Sequence, residues 1–290
     1  WASNNSVLVN NESKFETLAA QTAINGEPGY IFMDNIQAFS RMCDPADFKD
    51  AKARGTNPCG EQSLESYELC CLIETFPSKA ESLDDYMRTL KFAYLLGKTA
   101  TLVNTTWPET NRVQKRNRRI GTSVSGVTNF LHHHSLNTFK IWLESGYKEI
   151  QRWDGIYSSW LCVPKSIKTT SVKPSGTVSL LAGVNPGCHF PENNYYIRRV
   201  RIAKTSHLIP ILERAGLSIE DDVVDPSSKV VSFPVNAEGR NLSEVSIWEQ
   251  TSLAIFLQKY WSDNQVSCTV TFRPHEAGEI ATILHYFKYV

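Results

Sequence analysis

The run Asn57-Pro58-Cys59-Gly60-Glu61 sets an amide, a thiol and a carboxylate at alternate positions. On an extended segment, side chains two apart project to one side. Asn57, Cys59 and Glu61 would then converge, with Pro58 and Gly60 shaping a rigid tip behind them. Such a trio supplies a hydrogen-bonding group, a reactive sulfur and a general base. On these five residues alone, a surface loop with a buried cysteine and a solvated glutamate is the stronger reading. Nucleophilic cysteine chemistry competes too, but it wants a histidine base and a lowered thiol pKa. The one histidine cluster, His132-His133-His134, is tied to Cys59 by nothing in the sequence. A neighbouring carboxylate disfavours the thiolate. The pair therefore suits a neutral thiol that gives and takes a hydrogen atom.

Bulk properties narrow the surroundings. The chain has 290 residues, 41% hydrophobic and 21% charged, an ordinary globular composition for one large domain or two modest ones. Lys+Arg and Asp+Glu are both 30, so no nucleic-acid partner is expected. Small phosphate ligands remain open, because they need local donors and not a basic surface. No run of about 18 apolar residues is present, so no membrane span is expected. Residues Trp1 to Asn5 lack a charged segment before an apolar core, so no signal peptide is expected. The missing initial Met, and Val290 ending an apolar stretch, read as a piece of a longer polypeptide. Seven cysteines at irregular spacing argue against a disulfide framework and for a reducing cytoplasm. Zinc held by Cys59, Cys70 and Cys71 is a further reading, but the spacing is poor and no metal site is expected.

The elements that must position Cys59 read as alternating β and α, hence an α/β fold with parallel strands. Strands are expected at 7–9, 30–33, 70–76, 195–202, 230–234 and 267–272, a strand or loop of small residues at 120–127, and residues 54–63 as a loop. Helices are expected at 12–23, 83–99, 137–159, 206–216, 246–260 and from 276 onward. Ser82 can cap the second of these, with Leu83, Tyr86, Leu90, Ala93 and Tyr94 as its apolar face. In the third, Phe139, Ile141, Trp142, Ile150 and Trp153 should face inward. The stretch 169–181 should begin extended and break at Pro174-Ser175-Gly176. Glycine there lets successive N–H groups and the Ser175 and Thr177 hydroxyls cradle anionic oxygens, although such a stretch is more often just a turn.

Together these stretches are familiar. Asn57-Pro58-Cys59-Gly60-Glu61, with Cys70 downstream, resembles the finger loop of ribonucleotide reductases, most closely the monomeric adenosylcobalamin-dependent ribonucleoside-triphosphate reductases. Three further stretches carry the likeness: Asn117 to Ser123 (NRRIGTS), Val172 to Gly183 (VKPSGTVSLLAG) and Asp263 to Val270 (DNQVSCTV). Four matches in order cover most of the chain and are far more specific than any one alone.

The resemblance implies residues 1–290 as part of a ten-stranded α/β barrel around a central finger loop, 54–63, with a phosphate loop at 172–180. It implies reduction of ribonucleoside triphosphates to 2′-deoxyribonucleoside triphosphates by a thiyl radical at Cys59. Glu61 would take the 3′-OH proton and Asn57 would bind the substrate hydroxyls. Cys70 would be one member of the redox-active disulfide, its partner lying outside this chain, and Cys71 a packing residue. Pro174, Ser175, Gly176 and Thr177 would bind the substrate phosphate. Adenosylcobalamin would be the cofactor, with a contribution to its site within about 216–277 and centred near Trp261 to Thr271. Thioredoxin would be the reductant and a deoxynucleotide the allosteric effector of the full-length protein.

The second cysteine pair of the family and half its barrel are not in this chain, so turnover by this polypeptide alone is not expected. One alternative is the large subunit of an iron- or manganese-dependent reductase. The adjacent Tyr195-Tyr196 sits too early for that family's radical relay and reads as strand. A non-catalytic, truncated nucleotide-binding fragment is the other alternative.

Overall fold

The computed structural model describes residues 5–290. The leader reading made from Trp1 to Asn5 falls mostly on residues 1–4, outside the described residues. In chain order, Val7–Val9 (β1) and Tyr30–Phe32 (β2) pair in parallel across the helix Phe15–Asn25 (α1). That helix ends where Gly26 turns to φ +83° and donates its N–H to the Thr22 carbonyl. Met33–Ala38 (α2) leads toward the finger. The finger is not a plain loop, because Gly55–Thr56 (β3) and Ser63–Leu64 (β4) pair antiparallel and make it a narrow hairpin.

Leu72–Thr75 (β5) is followed by Leu83–Ala100 (α3) and Pro108–Asn117 (α4), then by Gly121–Val124 (β6), Val127–His133 (α5) and Leu136–Trp160 (α6). Ser82 caps α3 by accepting the Asp85 N–H, and Tyr86, Leu90 and Tyr94 are fully buried, as the spacing predicts. In α6, Phe139, Trp142, Ile150 and Trp153 face the core, but Ile141 is 49% exposed. It sits about 100° round the helix from Trp142, beyond the buried stripe. The polar α4 escapes a reading based on apolar periodicity; its marker is Pro108 at the first turn. His132 and His133 lie exposed at the end of α5.

Four extended runs lie side by side. β5 pairs with β6 in parallel, Leu72 opposite Gly121 through Thr75 opposite Val124. Thr122 then donates its N–H to the Thr169 carbonyl at 2.9 Å, and Ser171 returns one to Thr122 at 3.1 Å. Val172 donates to the Gln265 carbonyl at 3.1 Å, and Ser267 to Val172 at 2.9 Å. This is a curved parallel wall, backed by α3 and α6 and sealed by the fully buried Trp261. The strand expected at 267–272 does not form. Beyond Ser267 the backbone donors go to side chains instead: Thr269 N–H to His189 Nε2 and Thr271 N–H to Gln250 Oε1, both at 2.9 Å.

After the short helix Ser179–Ala182 (α7), the all-parallel expectation fails in a second place. Tyr195–Ala203 (β7), Ile209–Arg214 (α8), Ser218–Asp221 (β8) and Ser228–Asn236 (β9) build an antiparallel sheet of order β7-β9-β8. Ile247–Tyr260 (α9) returns the chain to the wall, and Ile280–Phe287 (α10) packs on α1 through Ala19, Ile280 and Ile283. Among the described residues no helix is long and apolar enough to cross a membrane.

Candidate active site

The finger is a tight turn, which corrects the extended geometry assumed from the spacing. Gly60 takes φ +82° and donates its N–H to the Asn57 carbonyl at 2.9 Å, while Asn57 donates to the Gln62 carbonyl at 3.0 Å. Asn57 and Glu61 are therefore buried in the hairpin, 5% and 1% exposed, and Cys59 stands exposed at the tip. The Asn57 Oδ1 accepts the Gln62 N–H at 3.0 Å, so this side chain closes the turn. The Glu61 Oε2 is buried without a hydrogen-bond partner among the described residues. A buried acceptor left open in a protein interior is costly unless something else meets it.

The two thiols share one electrostatic neighbourhood. Partial burial and then the Glu61 carboxylate push the Cys59 thiol above its ordinary value, with Lys173 pulling the other way. Burial, Glu61 and Cys59 do the same to Cys70. Both sulfurs are thus held protonated, as the carboxylate neighbour led us to expect of Cys59. Cys71 faces elsewhere: it donates its S–H to the Gly97 carbonyl of α3 at 3.5 Å, and burial raises its pKa to about 11.

The stretch Lys173 to Thr177 follows the third run of the wall. Ser175 sits in left-handed backbone at φ +52°, and its hydroxyl donates to the buried Glu74 carboxylate of β5. The expected anion cradle is changed accordingly, because a hydroxyl that donates to Glu74 has no second hydrogen for a phosphate. The N–H groups of Gly176, Thr177 and Val178 have no partner among the described residues and remain as donors. Lys173 Nζ lies 3.8 Å from Glu74. Burial raises the Glu74 pKa, against the opposing hydroxyl bonds and Lys173.

Beneath the finger lies a buried ion cluster that motif spacing does not reveal. Arg119 is fully buried and donates to Asp50 at 2.6 and 3.0 Å, to Glu68 at 3.0 and 3.2 Å, to Ser63 at 3.0 Å and to Asn264 at 3.2 Å. One planar fork thereby ties both flanks of the hairpin to β6 and to the fourth run. Arg119 lies inside one of the matching stretches, and Glu74 is a lone charge in an apolar strand. Those were the available signals. Gln62 carried none.

No family model matches the chain. Among curated proteins, the probable adenosylcobalamin-dependent ribonucleoside-triphosphate reductase of Dictyostelium discoideum is 52% identical over all of this chain and 39% of its own length. The adenosylcobalamin-dependent ribonucleoside-triphosphate reductase of Euglena gracilis is 48% identical over all of this chain and 40% of its own length. That of Lactobacillus gasseri is 36% identical, over all of this chain and 43% of its length. The chain thus spans about two fifths of the curated relatives it matches. A crystal structure of a B-12 dependent (class II) ribonucleotide reductase superposes with TM-score 0.91 at 32% identity, covering all of this chain and 45% of that one. A class Id ribonucleotide reductase alpha subunit from Actinobacillus ureae, at TM-score 0.58 and 16% identity over 95% of this chain and 63% of its own, shares the fold alone. The parallel wall and its hairpin are part of the ribonucleotide reductase α/β barrel, and the chain belongs to the ribonucleotide reductase family, along a stretch of its adenosylcobalamin-dependent members.

Proposed function

We propose that this chain supplies the thiol-bearing and phosphate-binding part of an enzyme that reduces ribonucleoside triphosphates to 2′-deoxyribonucleoside triphosphates. The observation that carries this reading is the exposed, protonated Cys59 thiol beside the buried Glu61 Oε2, which has no hydrogen-bond partner among the described residues, with Cys70 in the same neighbourhood. As a thiyl radical, Cys59 takes the hydrogen atom from C3′ of the ribose. Glu61 accepts the 3′-OH proton and the C2′ hydroxyl leaves as water. Cys70 and a cysteine outside this chain give two electrons and two protons and end as a disulfide. Cys59 then returns its hydrogen atom to C3′. Asn57 positions the others by closing the turn. The free N–H groups at Gly176 and Thr177, with Pro174 and Ser175 shaping the run and Lys173 alongside, receive the phosphates.

The residues present fit adenosylcobalamin on the open side of Cys59. Trp261 is not among its contacts, because it is fully buried and its Nε1 donates to the Thr122 and Ser171 carbonyls. Within 216–277 the run 265–271 is better placed: Ser267 donates to the Cys59 carbonyl, and Gln265 Oε1 is buried without a partner among the described residues. Gln265 and the exposed Thr269 would hold the cofactor. When bound, the cofactor supplies the radical by homolysis of its cobalt–carbon bond. Thioredoxin as reductant, a deoxynucleotide effector of the full-length protein, and a cytoplasmic setting that keeps Cys70 reducible complete the proposal.

The test uses the full-length protein. Adenosylcobalamin-dependent reduction of a ribonucleoside triphosphate should vanish in Cys59→Ser. Cys70→Ser should still form the radical while losing turnover with thioredoxin. Activity that survives Cys59→Ser sinks the reading, and multiple turnover by residues 1–290 alone with thioredoxin would refute the dependence on a cysteine outside them.

A further inference from the structure

Two other cysteines meet away from the finger's pair. Cys188 follows the phosphate-binding run and is buried, while Cys268 lies half-buried in the irregular run 265–271. Both side chains pack in one apolar cluster, and each thiol shifts the other's titration, upward for Cys188 and downward for Cys268. The backbone beside each is pinned to the other. His189 uses its Nδ1 on the Pro186 carbonyl at 3.1 Å, which leaves Nε2 to accept the Thr269 N–H at 2.9 Å. Burial lowers the His189 pKa and keeps the ring in that neutral form. Two cysteines that share one cluster, on backbones joined by the adjacent Thr269–His189 bond, come to bonding geometry through side-chain rotation.

We propose that Cys188 and Cys268 form a second redox-active dithiol, which closes to a disulfide on exposure to a small-molecule disulfide and clamps the run 265–271 to the loop behind the phosphate-binding turn. Cys268 is the attacking sulfur: it is the more exposed, and the neighbouring Cys188 thiol lowers its pKa, favouring the thiolate. Its thiolate attacks one sulfur of the small disulfide, forming a mixed disulfide and releasing one thiolate. Cys188 then gives up its proton and attacks the Cys268 sulfur, releasing the second. Two protein thiols are oxidised and one small disulfide is reduced to two thiols. Because Ser267 adjoins Cys268 and donates to the Cys59 carbonyl, the closed clamp fixes one support of the finger tip.

The proposal stands apart from the function proposed above, and its test reads sulfur connectivity and not turnover. The intact protein is incubated with oxidised glutathione, free thiols are alkylated in denaturant, and unreduced digests are mapped by mass spectrometry. A peptide joining Cys188 to Cys268 should appear, and should be lost after treatment with a phosphine reductant. In Cys188→Ser, Cys268 should carry the glutathione adduct instead; in Cys268→Ser, Cys188 should remain free. The proposal is overturned if wild-type Cys188 and Cys268 are recovered alkylated after the exposed thiols have reacted, or if Cys268 is found joined to Cys59 or Cys70. The wild-type map decides this without either variant.

Discussion

Gln62 holds Cys71 by two hydrogen bonds: its Nε2 donates to the Cys71 carbonyl at 3.1 Å and its Oε1 accepts the Cys71 N–H at 3.0 Å. Gln62 belongs to the finger hairpin and Cys71 leads into β5, so a single side-chain amide sets the spacing between Cys59 and the segment carrying Cys70. Gly121 of β6 makes this possible. A Cβ there would lie 2.8 Å from Gln62 Nε2 and 2.7 Å from Leu72 Cδ2.

Gln62→Leu removes both bonds and strands a peptide N–H and carbonyl at the edge of the core. The cost should be about 2–4 kcal/mol, two buried partners lost at about 1–2 kcal/mol each, read as a lower urea midpoint. On the proposed function, the loss in the full-length protein should fall harder on thioredoxin-coupled turnover than on radical formation, because the displaced sulfur is Cys70. Equal loss of both would mean that Gln62 merely supports the fold.

Removing Arg119 should be more damaging. Arg119→Met leaves Asp50 and Glu68 as buried carboxylates without their counter-ion, a change worth about 3–5 kcal/mol. Lysine should rescue little, since one ammonium cannot reach four partners in the plane of the fork. The pH dependence checks the cause. Burial works against the Asp50 carboxylate, but the Arg119 bonds outweigh it and hold its pKa below the usual range. Its contribution is therefore complete above the unfolded pKa, about 3.9, and is lost as pH falls through the folded value. In Arg119→Met, protonation instead relieves a stranded charge. The stability gap between the two proteins should narrow as acid is added; a constant gap would mean that the ion pair is not its source.

How much of this was legible in the sequence divides along physical lines. Capped helices with an apolar stripe, such as Leu83–Ala100, and apolar strands, such as Leu72–Thr75, follow from periodicity. The matching stretches brought Cys59, Glu61 and Cys70 to one place before any coordinates. What spacing could not supply was the shape of the finger. Asn57 and Glu61 share a parity with Cys59, yet Gly60 folds the chain and sends Cys59 outward while the other two turn in. Nor could it supply Glu74 and Arg119, whose partners come from remote parts of the chain, or the irregular course after Ser267. That run has the composition of a strand, but its donors are taken by the side chains of His189 and Gln250.

Glu74 places a carboxylate under the turn proposed to bind phosphate, where it would oppose an incoming anion. Its pKa is raised by burial, so its charge destabilises the fold as pH climbs from the unfolded value toward the folded one. Glu74→Gln keeps an acceptor for the Ser175 hydroxyl and removes the charge. Stability at neutral pH should rise, and its decline through that interval should flatten. Binding of a ribonucleoside triphosphate should tighten about fivefold, from the order of 1 kcal/mol between like charges at intermediate screening. Calorimetric titration of both proteins reads this directly, and weaker binding in the variant would show that the carboxylate aids the turn more than it repels the ligand.

Gly187 is the backbone support on which that turn rests. It adopts φ +49°, and a Cβ there would lie 2.3 Å from the Lys173 carbonyl oxygen and 3.3 Å from that of Pro174. Both obstacles are main chain, so no rotamer change clears them. Gly187→Ala must displace either its own loop or the run from Lys173 to Thr177, at about 1–3 kcal/mol for the strained conformation alone. Gly176, inside the run, has open space around its Cβ position. Gly176→Ala should therefore leave the thermal midpoint unchanged, while Gly187→Ala lowers it and weakens triphosphate binding. Matching midpoints for the two variants would mean that the loop yields freely, and that the turn does not depend on Gly187 for its place.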